Sequence, residues 1–268
     1  MLITKKFIML NFPKTGSSFA RKVLKHIFSV AHTVESFDSD KGYTGDGVVE
    51  HLLPNIRVKG MGDRVDHHGT YSQIPESERA KPVFSIGRDP ILRLLSLYRY
   101  QFWVQRPPMP IMTIKSMFPM FPNLSLREYF ELTQAAIPYR VGFKMGFRGI
   151  GPQSVQFVQM FFKQPEKVLR NMSERYIDSS NLFEDVGQIQ FLRQEKLRCD
   201  LKRMLELFGL PKEKLTCIDT FPNSNVSEHS LTSDMCAIDD ELRITVIRHE
   251  RLMQRVLDKF TLMDDDKT

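Results

Sequence analysis

Cysteine is scarce in this chain, with three in 268 residues, at Cys199, Cys217 and Cys236, and no Cys-x-x-Cys pair. An odd number of widely spaced thiols excludes a disulfide framework and a Cys-based zinc site, and is the usage of a reducing compartment. Long apolar runs are missing too. No stretch of about 18 apolar residues occurs, so no membrane-spanning helix is expected. The apolar part of residues 1–10 is too short for a signal segment and lacks a small-residue cleavage site, and a cytoplasmic location is therefore expected. There is no internal repeat and no low-complexity tract. Zinc-finger spacing and base-stacking aromatic motifs are absent, so nucleic acid is not an expected partner.

What is present is an ordinary globular composition, 41% hydrophobic and 10% aromatic, with a net charge of +6. That length sustains one large domain with its own core. The positive balance favours anionic partners such as a nucleotide or a sulfated glycan. Lysines and arginines scattered over a solvated surface would give the same balance.

Apolar patterning alternates between strands and helices. Residues 7–12 (FIMLNF) read as a buried strand, followed by a loop at 13–16 and a helix from Ser17 to about Phe28. Residues 38–47 read as a loop and 56–59 as a short strand. Residues 83–86 (VFSI) read as a second strand. A helix then runs over 90–105, with Asp89 as N-cap and Pro90 in its first turn. Residues 106–123 hold five prolines and four methionines and read as an ordered insert with one short helix. Further helices are expected at 125–134, 152–162, 188–208 and 239–260. Strands are expected near 176–178 and 215–218, and a solvated tail at 264–267. This order predicts an α/β fold, three layers deep, with a central and mostly parallel sheet flanked by helices.

Two strand-to-helix junctions carry candidate chemistry. At the first, Lys14, Thr15, Gly16, Ser17 and Ser18 lie where a helix N-terminus presents unpaired N–H groups and the positive end of its dipole. Gly16 allows close backbone approach, Ser17 and Ser18 add hydroxyls, and Lys14 adds a charge. A plain capped turn is the alternative. The order is not a Walker A motif, because Lys14 precedes Gly16 and no first glycine exists. Asp219 is the nearest candidate for a magnesium-holding aspartate, and no metal is expected. At the second junction Arg88 follows the strand at 83–86, at the edge where α/β sheets bind ligands. Its planar fork suits phosphate, and Ser96 lies farther along the following helix. A structural ion-pair role is the alternative for Arg88.

Together these segments resemble the PAPS-dependent sulfotransferase family, where PAPS is 3′-phosphoadenosine 5′-phosphosulfate. The family's 5′-phosphosulfate loop reads Pro-Lys-x-Gly-Thr-Thr, and here Pro13-Lys14-Thr15-Gly16-Ser17-Ser18 stands in its place. Its 3′-phosphate motif is matched by Arg88-Asp89-Pro90, Arg93, Ser96 and Tyr98. Weaker likeness to the carbohydrate-type branch lies in Gly151-Pro152-Gln153-Ser154, in residues 181–185, in Phe208-Gly209-Leu210-Pro211 and in 223–230. The resemblance spans about residues 7–260. It implies one P-loop-like domain, PAPS as co-substrate with PAP as product, and a hydroxylated acceptor such as a glycan.

Transfer to a hydroxyl gains from a general base, and histidine is the usual choice near neutral pH. The chain has seven histidines. His67 and His68 stand out, because the resemblance implies a catalytic histidine about 20 residues before the second motif. His68 fits that place best, with His67 in reserve. Asp66 is a candidate to orient either ring. Other branches use a glutamate after the first helix, and Glu35 stands in a comparable place. Two other functions compete: an ATP-dependent P-loop phosphotransferase, and a non-catalytic binder of polyanions. The insert at 106–123 follows the cofactor helix and is expected to border the acceptor, since methionine offers an adaptable apolar surface.

Overall fold

The computed structural model describes residues 1–28, 31–34, 47–58, 64–147, 149–223 and 238–262. Glu35, Cys236 and most of the segments 38–47 and 223–230 lie outside the described residues, as does the tail.

Six strands form the main sheet: β1 (Leu2–Thr4), β2 (Ile8–Met9), β3 (Ala31–Val34), β4 (Val48–His51), β7 (Val83–Gly87) and β8 (Ile189–Arg193). Their order is β3-β4-β1-β2-β7-β8. β2, β7 and β8 run parallel, β3 runs with β4, and β1 alone is reversed between β4 and β2. A separate antiparallel ribbon joins β5 (Leu53–Pro54) and β6 (Val65–Asp66).

Period-two alternation sends the strand side chains to opposite faces. Ile8, Leu10, Phe12, Val83, Ile189 and Phe191 join one core with the helices Pro152–Phe161 and Arg251–Phe260. Phe7, Met9, Phe84, Ile86 and Leu192 join the other, with α1 (Ser17–Ile27) and the Leu197–Leu207 helix. The result is a three-layer α/β arrangement with a mixed, mostly parallel sheet. A third cluster packs the insert, through Met109, Ile114, Phe118 and Phe121, onto α2 (Pro90–Tyr100) and the Asp240–His249 helix. The insert contains the one helix expected of it, Ile111–Met117.

Local signals hold well. The Asp89 carboxylate accepts from the N–H groups of Ile91 and Leu92, both at 2.9 Å, and starts α2 as its N-cap. The 90–105 helix is broken once, where Gln101 adopts a left-handed backbone before Phe102–Gln105. Several other expectations are corrected. Ile56 and Arg57 lie in a turn, with the Asn55 side chain accepting from Arg57 N at 3.2 Å, and Ile56 is exposed. Residues 176–178 belong to the helix Glu174–Asp178, capped by Ser173. Residues 215–218 fall in the helices Lys212–Leu215 and Cys217–Thr220. The expected helix at 188–208 opens as β8, because Ile189 and Phe191 fill the sheet core beside β7. The last helix divides at Glu250. Among the described residues no helix is long and apolar enough to cross a membrane.

Candidate functional site

β2 and β7 are parallel neighbours, paired Ile8 to Val83 and Met9 to Phe84. Beyond the ladder Leu10 N donates to Phe84 O at 2.9 Å, and the Ser85 hydroxyl donates to Leu10 O at 2.8 Å. The two chains therefore leave the sheet side by side, which brings the loops after them together.

In the first loop Lys14 (φ 65°) and Gly16 (φ 89°) both take left-handed backbones. For lysine this is a strained state, of the kind that clusters at functional sites. The left-handed backbone favours glycine at position 16, where an added Cβ would also come within 2.9 Å of the Leu197 side-chain tip. Thr15 Oγ1 and Ser17 Oγ both donate to Phe12 O, at 2.9 and 3.0 Å. Their hydroxyl protons close the loop. Ser18 is half-buried at the same end, and no side chain caps the start of α1. The groups left to face an anion are the Ser17 and Ser18 N–H groups, the Ser18 hydroxyl and Lys14, since Phe19 N donates to Gly16 O at 3.0 Å.

The second loop grips the first. Arg88 Nη1 donates to Lys14 O at 3.0 Å, while Arg88 Nε is buried without a partner among the described residues. Arg93 is wholly buried and reaches the same loop, with Nε donating to Pro13 O at 3.1 Å. Its guanidinium also lies 4.1 Å from the centre of the Phe12 ring. The Lys14 ammonium sits 3.8 Å over the Tyr100 ring, and Tyr100 stacks with Phe102 at 6.0 Å. Burial lowers the Lys14 pKa, and repulsion from Arg88 and Arg93 lowers it further. Three cations thus converge where a donor lacks its acceptor, which is the condition an anionic ligand relieves. Ser96 is half-buried in the middle of α2, and no hydrogen bond joins it to Arg88 among the described residues. Tyr98 turns its hydroxyl away to Leu124 O at 2.7 Å, tying the insert to α2.

His68 belongs to the same edge of the sheet. Its Nδ1 lies 2.6 Å from Asn11 O, three residues before Lys14. A carbonyl only accepts, so Nδ1 carries the proton and Nε2 is left with its lone pair. Asn11 Nδ2 returns a hydrogen bond to His67 O at 2.8 Å. Asp66 does not orient either ring. Its carboxylate accepts from His68 N at 2.7 Å and from Arg57 Nη2 at 2.6 Å, fixing the backbone instead. The His67 and His68 ring centres are 4.1 Å apart. Burial, then the neighbouring His67 and Arg57, hold the His68 pKa well below the usual value. Burial and Arg21 lower that of His67 to about 4. Both rings are neutral at pH 7.

Depressed histidine pKa values make a stability prediction. The contribution is present above the unfolded value of 6.5 and is lost as pH falls through the folded values. Urea midpoints measured between pH 7 and 4 should therefore fall more steeply in the wild type than in a His67→Asn/His68→Asn variant. Equal slopes would show that folding does not hold the pKa values of these rings down.

The sequence alone assigned no role here to Tyr100, Gln153, Gln156 or Glu250. Gln153 accepts from Arg93 Nη1 at 3.1 Å, and Gln156 from Nη2 at 2.5 Å. Glu250, wholly buried, accepts from Gln153 N and Ser154 N at 3.1 and 2.6 Å. Among the described residues no group of His, Cys, Asp or Glu is arranged to hold a metal ion. Comparison with protein-family models, with curated proteins and with solved structures finds no match.

Proposed function

We propose that this chain is a sulfotransferase, carrying a sulfonate group from PAPS to the hydroxyl of an acceptor such as a carbohydrate, on a P-loop-like version of the three-layer fold. One observation carries the reading. Two adjacent parallel strands deliver the Lys14 loop and Arg88 to one edge, locked by the 3.0 Å bond, with a buried Arg88 donor still unpaired.

Bound PAPS supplies a sulfonate already activated by a phosphate leaving group. The Ser17 and Ser18 N–H groups, with the Ser18 hydroxyl, bind the 5′-phosphosulfate, and Arg88 with Ser96 takes the 3′-phosphate. His68 Nε2 accepts the proton from the acceptor hydroxyl as its oxygen forms the new bond to sulfur. The old sulfur–oxygen bond breaks on the opposite side. Lys14 then meets the negative charge left on the departing phosphate oxygen, in a site where the cations are held in place beforehand. The insert leaves Ile111, Met112, Met117 and Met120 exposed, and this apolar face is the acceptor's border in the proposal.

The assignment of the 3′-phosphate is tested by Arg88→Ala and Ser96→Ala. Both should weaken PAP more than adenosine 5′-phosphosulfate, which lacks that phosphate. Losing a hydrogen bond to a charged group costs about 1.5–3 kcal/mol, so about a tenfold loss or more is expected for PAP with Arg88→Ala. Equal losses for the two nucleotides would remove Arg88 from the 3′-phosphate site.

A further inference from the structure

Glu250 and Arg93 are both wholly buried, and among the described residues no hydrogen bond or ion pair joins them directly. Gln153 stands between them. Its side-chain oxygen accepts from Arg93, its backbone N–H donates to Glu250, and its Nε2 donates to Pro90 O at 2.9 Å. Glu250 lies at the break between the last two helices and turns its carboxylate onto the N-terminus of the Pro152–Phe161 helix. The room for it exists because Gly151 has no side chain; a Cβ there would fall 2.1 Å from Glu250 Oε1. Arg93 spends its remaining donors on Gln156 and on Pro13 O, the residue before Lys14.

We infer that Glu250 is a positioning residue, which acts through Gln153 and Arg93 to hold the Lys14 loop in its left-handed bend. A buried arginine without a countercharge is costly, and a buried carboxylate without donors equally so. Each offsets the other's burial only while Gln153 keeps the chain of contacts closed. The strain at Lys14 needs such support, since a left-handed lysine persists only where its surroundings fix it. Burial raises the Glu250 pKa to about 7 against the donors from Ser154 and Gln153 and the attraction of Arg93. Arg93 on α2 is the charged group acting on it from the packed elements, while the Pro152–Phe161 helix offers neutral Gln153 and Ser154, and His249 adjoins it in sequence.

The role of the loop as an anion site is the proposal made above, and the test separates the two. Hydrogen exchange of the loop amides at 14–18 is compared in the wild type, Glu250→Gln, Gln153→Met and Val256→Ala, alongside PAP binding. Gln153→Met matters most, because it keeps Glu250 and both of its backbone donors and still answers if Glu250→Gln does not fold. Val256→Ala lowers stability in the same C-terminal helix without touching the contacts. About tenfold faster exchange of the loop in Gln153→Met, with the loop unaffected in Val256→Ala, is the expected result. Loop exchange unchanged in Gln153→Met overturns the inference. A wild-type chain that fails to bind PAP refutes the anion-site proposal while leaving the exchange comparison intact.

Discussion

Replacing His68 with alanine is expected to lower kcat by about 10²- to 10⁴-fold, the usual cost of removing a general base. PAP affinity should stay near the wild-type value, because His68 is anchored to Asn11 O on the strand exit and is not among the phosphate-facing groups. The acidic limb of the pH–rate profile should vanish with it. Lys14→Ala should lower kcat as well, and it differs by also weakening PAPS, since the proposed function puts Lys14 in the loop that holds it. Steady-state kinetics beside nucleotide binding distinguishes the two signatures. Near-normal turnover by His68→Ala would pass the role to His67, whose ring centre is 4.1 Å away, or to Glu35. Parallel substitutions would decide between them.

The second large effect is on folding. Arg93→Met should destabilise the protein, at about 1–3 kcal/mol for each buried acceptor that it leaves unpaired. The variant loses the bonds to Pro13, Gln153 and Gln156 and leaves the Glu250 carboxylate without its countercharge. The sign of the pH dependence follows. Glu250 already has a folded pKa of about 7, above its unfolded value of 4.5, so its contribution is present below 4.5 and fades as pH rises through 7. Without Arg93 that folded value climbs further, so the deficit of the variant should widen as pH rises past about 7. Denaturant titrations at several pH values measure it. A variant within about 0.5 kcal/mol of the wild type, as surface changes usually are, would mean that Arg93 is not a structural tie.

Much of this was legible where the signal is local. Asp89 and Pro90 announce the start of α2, and Gly16 with its serines announces the start of α1, because caps and first turns depend on neighbours in sequence. Lys14 and Arg88 were legible as residues, and their meeting was not, since it depends on β2 and β7 being parallel neighbours. β8 was hidden at the head of a helical pattern: Ile189 and Phe191 suit a strand only once β7 lies beside them. Residues 176–178 and 215–218 show the converse error, with short apolar runs whose helical state is set by a Ser173 cap and by packing. Thr15 and Ser17 read as phosphate ligands, yet their hydroxyl protons go to Phe12 O, a contact made only when the loop closes. Glu250 was invisible, as a glutamate in a long charged helix looks like surface until the helix is found to break there.

In the proposed function the Lys14 loop and Arg88 form a site for a 3′-phosphorylated adenine nucleotide. Calorimetric titration of the intact chain with PAP, and with ATP in the presence of Mg²⁺, addresses it most directly. PAP is expected to bind without any divalent ion, with an affinity that falls as salt rises and that Lys14→Ala and Arg88→Ala each weaken. Binding of ATP–Mg²⁺ in preference to PAP, or no heat with PAP at all, would contradict that expectation.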